Sequence, residues 1–128
     1  MANFISDNCD LQFYLDRWID WEMLYTLTEL NPADPSAPSN AEEAHELWRD
    51  VLSLIADFAT NEIAPHGPEL DREAISLVEG EVVASTRMDQ IFSAIAEMGL
   101  HGICLPREIG GMGCPMFLYM VQCELISR

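Results

Sequence analysis

The segment that most restricts the fold is "MFLYMVQCELIS", residues 116 to 127. It is apolar nearly all round a helical wheel, so it predicts a helix that is either deeply buried or missing its partner. Pro115 stands where a first helical residue belongs. Immediately before it, "LPREIGGMGCPMF" packs three glycines into four positions, Gly110, Gly111 and Gly113. A Walker loop would need a lysine, and the chain has none. A dinucleotide fingerprint needs GxGxxG after a parallel strand, which neither this spacing nor the helical surroundings supply. The glycines are therefore expected to form a tight turn that lets the apolar helix pack closely on the core.

The rest of the chain predicts a mainly α, bundle-like domain. Leu11, Tyr14, Leu15 and Trp18 fall at helical spacing. Asp20 is placed to cap a second piece carrying Leu24, Leu27 and Leu30. Trp18 and Trp21 make this segment adhesive. "NPADPSAPS", residues 31 to 39, has three prolines in nine positions and reads as a loop. It divides the chain into an N-terminal extension, 1–34, and a main domain, 35–128.

A helix of about six turns follows, capped through Ser39 with Glu42 or Asn40 with Glu43. Its apolar stripe is Ala44, Leu47, Trp48, Val51, Leu52, Ile55, Phe58, Ala59 and Ile63, and Pro65 with Gly67-Pro68 ends it. "ISLVEGEVVA", residues 75 to 84, allows one short β-hairpin. Ser85 or Thr86 opens a helix with Met88, Ile91, Phe92, Ile95 and Met98 buried, closed by Gly99. Residues 100 to 106 read as an extended buried connector.

Charge excludes some functions. With 22 acidic residues, six arginines and 49% hydrophobic content, the 128-residue chain carries −16 and can still build a core. Nucleic acid and anionic membrane surfaces are poor partners for it; a solubilising acidic face is the simpler reading. No run approaches the roughly 18 apolar residues of a membrane span. The N-terminus lacks the pattern of a secretory signal, so the expected location is cytoplasmic. Cys9, Cys104, Cys114 and Cys123 are then expected as free thiols. No CxxC pair supports a zinc site with His101, and no metal is expected. A thiol enzyme built on His101 and Cys104 has no better support.

Two blocks carry a family resemblance: "EIAPHGPELDRE", and "IAEMGLHGICLPREIGGMGCPMFLYMVQCELISR". Glu62-Ile63-Ala64-Pro65, Asp71-Arg72, Met98-Gly99-Leu100, Gly102, Pro106, Glu108, the three glycines and Glu124-Leu125 resemble the N-terminal helical domain of acyl-CoA dehydrogenases. The resemblance covers about residues 40 to 128, and the extension resembles that of larger family members. Ile109 departs from the tyrosine common there, and an insertion follows Gly80. The resemblance implies an FAD enzyme that dehydrogenates acyl-CoA thioesters at the α,β bond. A glutamate base removes the α-proton, a hydride reaches the flavin, and an electron-transfer flavoprotein is the acceptor.

The resemblance further implies a homo-oligomer whose β domain and C-terminal bundle lie outside this sequence. No catalytic residue is then expected in this chain, which alone should be inactive and hold FAD poorly. By the same resemblance the helix after the turn offers acyl-pocket wall through Met116, Tyr119, Met120, Cys123, Glu124 and Ser127, against a plain core-packing reading of each. The alternative function is a non-catalytic acidic helical interaction module.

Overall fold

The computed structural model describes residues 3–29, 34–73 and 75–128. Leu30 and positions 31–33 of the proline-rich loop lie outside the described residues. The N-terminal segment forms two helical pieces, as expected. Helix α1, Cys9–Phe13, starts at Asn8, whose side chain accepts from the Asp10 and Leu11 amides. It continues into a π-helical turn, Tyr14–Trp18. Helix α2, Trp21–Thr28, is capped by Asp20 through the Met23 amide. The wider π turn takes Tyr14 and Trp18 off the stripe that Leu11 and Leu15 begin. Those leucines are buried, whereas Tyr14 is 47% and Trp18 70% exposed. Trp21 turns inward, stacks on His45 with ring centroids 4.4 Å apart, and donates Nε1–H to the Leu15 carbonyl at 3.0 Å.

Helix α3, Ala41–Phe58, is the spine. Of the two capping registers, Asn40 with Glu43 forms. Asn40 Oδ1 accepts from the Glu43 amide at 2.9 Å, and Glu43 Oε2 reaches back to the Ser39 amide at 2.8 Å. Ala44, Trp48, Leu52, Ile55, Ala56 and Phe58 are buried, but Leu47, at the edge of the stripe, is 41% exposed. The expected stop at Pro65 is replaced by a graded change of pitch. A π turn spans Ala59–Ile63, a 3-10 turn Ala64–His66, and helix α4 Gly67–Arg72. Pro65 and Pro68 each sit in the first turn of their element, where the missing N–H is not needed, so Gly67-Pro68 starts a helix rather than ending one.

Strands β1, Ser76–Val78, and β2, Glu81–Val83, form the expected antiparallel hairpin, with Leu77 opposite Val82. Glu79 at φ 52° and Gly80 at φ 87° make its turn. Both strands are exposed throughout. Helix α5, Thr86–Glu97, is capped by Ser85 through the Met88 amide and followed by Gly99 at φ 71°. Ile91 is buried, but Phe92 is 56% exposed, contrary to the expected stripe. It lies one position round from Ile91, where it lines an open groove opposite Tyr119 instead of packing into the core.

Residues 100 to 106 are not extended. Leu100–Gly102 is a 3-10 turn, and the Leu105 amide donates to Gly102 O, folding the segment on itself while Leu100 and Ile103 stay buried. Helix α6, Met116–Ile126, has Pro115 as its cap residue, one position earlier than expected. Leu118, Val121 and Leu125 join Trp48, Leu52 and Ile55 of α3 in one core, which also takes in Leu11 and Leu15. Each such side chain contributes about 1.5–3 kcal/mol on leaving water. No helix among the described residues is long and apolar enough to cross a membrane.

Candidate functional site

The glycine turn is a closed hydrogen-bonded unit. Arg107–Ile109 is a 3-10 turn that ends at Gly110, φ 88°. Gly110 donates to Arg107 O, Gly111 to Pro106 O, Met112 to Gly102 O, Gly113 to Leu105 O and Cys114 to Ile103 O, all between 2.9 and 3.1 Å. Every amide from Gly110 to Cys114 is thus satisfied within the turn, and none is left to cradle a phosphate. Gly111 is required by space: a Cβ there would lie 2.1 Å from Leu105 O. Gly113 is favoured by φ +66°, and a Cβ there would have to displace the Arg107 side chain, whose Cζ lies 2.7 Å from that position.

That compact turn launches α6 with one face inward. Leu118, Val121 and Leu125 face α3, and Gln122 is buried beside them. Gln122 Nε2 donates to Leu100 O at 3.4 Å, while its Oε1 has no partner. All six side chains singled out from the resemblance stand on the other side. Met116, Tyr119 and Met120 are 58%, 42% and 60% exposed, and Cys123, Glu124 and Ser127 are exposed with them. Tyr119, Cys123 and Ser127 line one wall of an open groove of about 370 Å³, with Phe92 and Ile95 of α5 across it. Met116, Met120 and Glu124 do not line that groove; Glu124 pairs instead with Arg128 at 2.8 Å.

Near α6, one phenol and two thiols are shifted toward their neutral forms. Hydrogen bonding with the Cys123 thiol pushes the Tyr119 phenol above its ordinary value. Burial pushes Cys104 up, and its thiol donates to Pro115 O at 3.5 Å. Burial likewise pushes Cys114 up to about 11. All four cysteines are free thiols, as expected.

Two groups escaped sequence reasoning. Gln122 carried a faint signal, as a lone amide in an apolar run. The other is an ion pair between Arg107 and Glu29, 78 positions apart, for which local patterning offers no signal.

The described residues thus form a mainly helical domain with a hydrogen-bond-saturated glycine turn and a last helix open on one side. The model of the acyl-CoA dehydrogenase N-terminal domain matches residues 42–128. The chain belongs to the acyl-CoA dehydrogenase family, in the part that forms its N-terminal domain. A probable acyl-CoA dehydrogenase, YngJ, of Bacillus subtilis (strain 168) is 33% identical over 78 residues, covering 61% of this chain and 18% of that protein. A 3-(aryl)acrylate reductase of Clostridium sporogenes (strain ATCC 15579) is 36% identical over 86 residues, covering 67% of this chain and 19% of that protein. The chain thus spans about a fifth of the length of these curated relatives. No solved structure matches significantly.

Proposed function

We propose that this chain is the N-terminal part of an FAD-dependent acyl-CoA dehydrogenase, and that the outward face of α6 forms wall for the acyl chain. The observation that carries the reading is the division of α6. Leu118, Val121 and Leu125 fix the helix to the core. Met116, Tyr119 and Met120 leave an apolar, deformable surface outward, and such a surface suits an alkyl tail. The family is FAD-dependent in general. The saturated amides of the turn do not fit a flavin pyrophosphate, so under this reading the flavin contacts and the catalytic base come from other parts of the protein. The chain alone is then inactive. Acyl-CoA and an electron-transfer flavoprotein are the partners of the complete enzyme, which is a homo-oligomer in the cytoplasm.

The likeness to an acrylate reductase favours a second reading, in which the same wall serves reduction of a conjugated double bond. Both are tested by reading the gene past the codon for Arg128 and assaying the encoded protein. Bleaching of its flavin by a saturated acyl-CoA supports dehydrogenation; reoxidation of its reduced flavin by an acrylate supports the reductase. Met120→Trp should raise KM for long acyl chains at least fivefold, with kcat within twofold. A stop codon directly after Arg128, or a flavin indifferent to both substrates, refutes the proposal and leaves the acidic interaction module.

A further inference from the structure

We propose that Glu29 and Arg107 form a latch by which the N-terminal helices position the glycine turn and, through it, α6. Arg107 lies within the family match, and Glu29 lies before its first residue, 42. Glu29 is the C-terminal cap residue of α2. Its carboxylate meets the Arg107 guanidinium fork to fork, with both N–H···O distances 2.7 Å. The side chains are 2% and 13% exposed, respectively. A bidentate pair so shielded from water is directional, and removing one partner strands a buried charge.

The pair holds the turn because of where Arg107 goes next. Its guanidinium carbon lies 2.7 Å from the Cβ position of Gly113, so the side chain is pressed against the backbone at that left-handed residue. The Gly113 and Cys114 amides close onto Leu105 O and Ile103 O, and α6 begins at Met116. Position therefore passes from α2 through Glu29 and Arg107 to Gly113 and the first turn of α6.

A second observation gives the latch somewhere to open. A cavity of about 260 Å³ is lined by Glu29, Arg107, Gly113, Cys104 and Cys114. With Glu29 neutralised, Asp34 is the next carboxylate bearing on Arg107, although it already accepts from Ser36 N and Oγ at 2.8 and 2.6 Å. An Arg107 drawn toward Asp34 would admit water to the thiol of Cys114, now 5% exposed. The latch stands without any substrate. Its consequence, that the extension sets the pose of a pocket wall, rests on the function proposed above.

Glu29→Gln and Arg107→Lys, made in the full chain, test it. Cys114 labelling by a maleimide is followed by peptide mass spectrometry with exposed Cys9 as internal control, beside hydrogen exchange of the turn and of α3. Glu29→Gln should raise Cys114 labelling at least tenfold and speed exchange at Gly113 and Cys114, with Cys9 and α3 unchanged. Arg107→Lys, which keeps the charge but loses the fork, should give a smaller rise, and Glu29→Asp should restore part of the protection. Unchanged labelling in folded variants overturns the latch. Equal loosening of α3 and the turn also overturns it, because the pair would then hold the whole fold and not the turn. If Glu29→Gln does not fold, Arg107→Lys decides by the same two criteria. None of these readouts uses an acyl-CoA, so failure of the latch and failure of the proposed function are separable.

Discussion

Alanine at Gly111 and at Gly110 should destabilise the chain for different reasons and by different amounts. At Gly111 the backbone is ordinary, but a Cβ would meet Leu105 O at 2.1 Å, with Leu105 C and Cβ at 2.5 Å. Two of those atoms are main chain and the third is attached to it, so no rotamer change relieves the clash; the turn has to open. Overpacking of this kind costs about 1–3 kcal/mol. Opening also weakens the bonds from Gly111, Met112 and Gly113 to Pro106, Gly102 and Leu105, at about 1 kcal/mol each. The sum is about 4–6 kcal/mol, a large part of the roughly 5–15 kcal/mol that holds a domain folded. At Gly110 a Cβ meets nothing within 4 Å, but φ is +88°, which costs an alanine about 1–2 kcal/mol. Urea unfolding followed by far-UV circular dichroism separates the two. With a slope of about 1–3 kcal/mol per molar, Gly111→Ala should lower the midpoint by roughly 2 M and Gly110→Ala by less than half as much. Equal shifts, or a larger one at Gly110, would refute the steric account of the turn.

Two further outcomes follow from the same geometry. Met120→Asp, at a side chain 60% exposed, should change stability by no more than about 0.5 kcal/mol and reduce self-association in sedimentation velocity; a variant that unfolds would mean that this face of α6 is buried. His45 should give a pH-dependent contribution. Burial first, and then Arg49, hold its pKa below the ordinary value of 6.5, and its Nε2 is buried without a partner. The unfolded chain therefore takes up the proton at higher pH than the folded one. The stability His45 contributes is complete above about 6.5 and is lost as pH falls through its folded value. Trp21, stacked on the imidazole, reports this by fluorescence, and His45→Gln should flatten the slope between those two pH values.

The legible parts of this fold are those that depend on neighbours in sequence. Asp20, Asn40 and Ser85 cap their helices because a short polar side chain there meets an amide three residues on. Gly99 ends α5 because φ is 71°. Errors arose where the tertiary environment decides. Phe92 has the spacing of a core residue, but it lines an open groove opposite Tyr119 and stays 56% exposed. Pro65 and Pro68 have the look of stops, yet a change of helical pitch places each in a first turn. The 100–106 connector reads as extended because it is apolar and short. The carbonyls that fold it back on the glycine turn become available only once residues 102 to 114 are assembled.

The candidate site follows the same division, and α6 shows why. Its apolarity on all sides is the absence of a pattern, and a periodicity argument has nothing to grip. The exposed and buried sets are nevertheless sharply separate: Leu118, Val121 and Leu125 at 0%, 4% and 0% against Met116, Tyr119 and Met120 at 58%, 42% and 60%. Composition explains why both sets could be apolar without disturbing the fold. The inward set is two β- or γ-branched shapes, leucine and valine, which pack in few rotamers. The outward set is methionine and tyrosine, which are adaptable or amphipathic. A helix intended only for the core of one domain would place charge on its far side, as α3 does with Glu42, Glu46 and Asp50. The only charge along α6 is Glu124, near its end and paired with Arg128. An outward face kept apolar at the launch point of a rigid turn is therefore the feature that ties this domain's packing to the pocket role proposed for it.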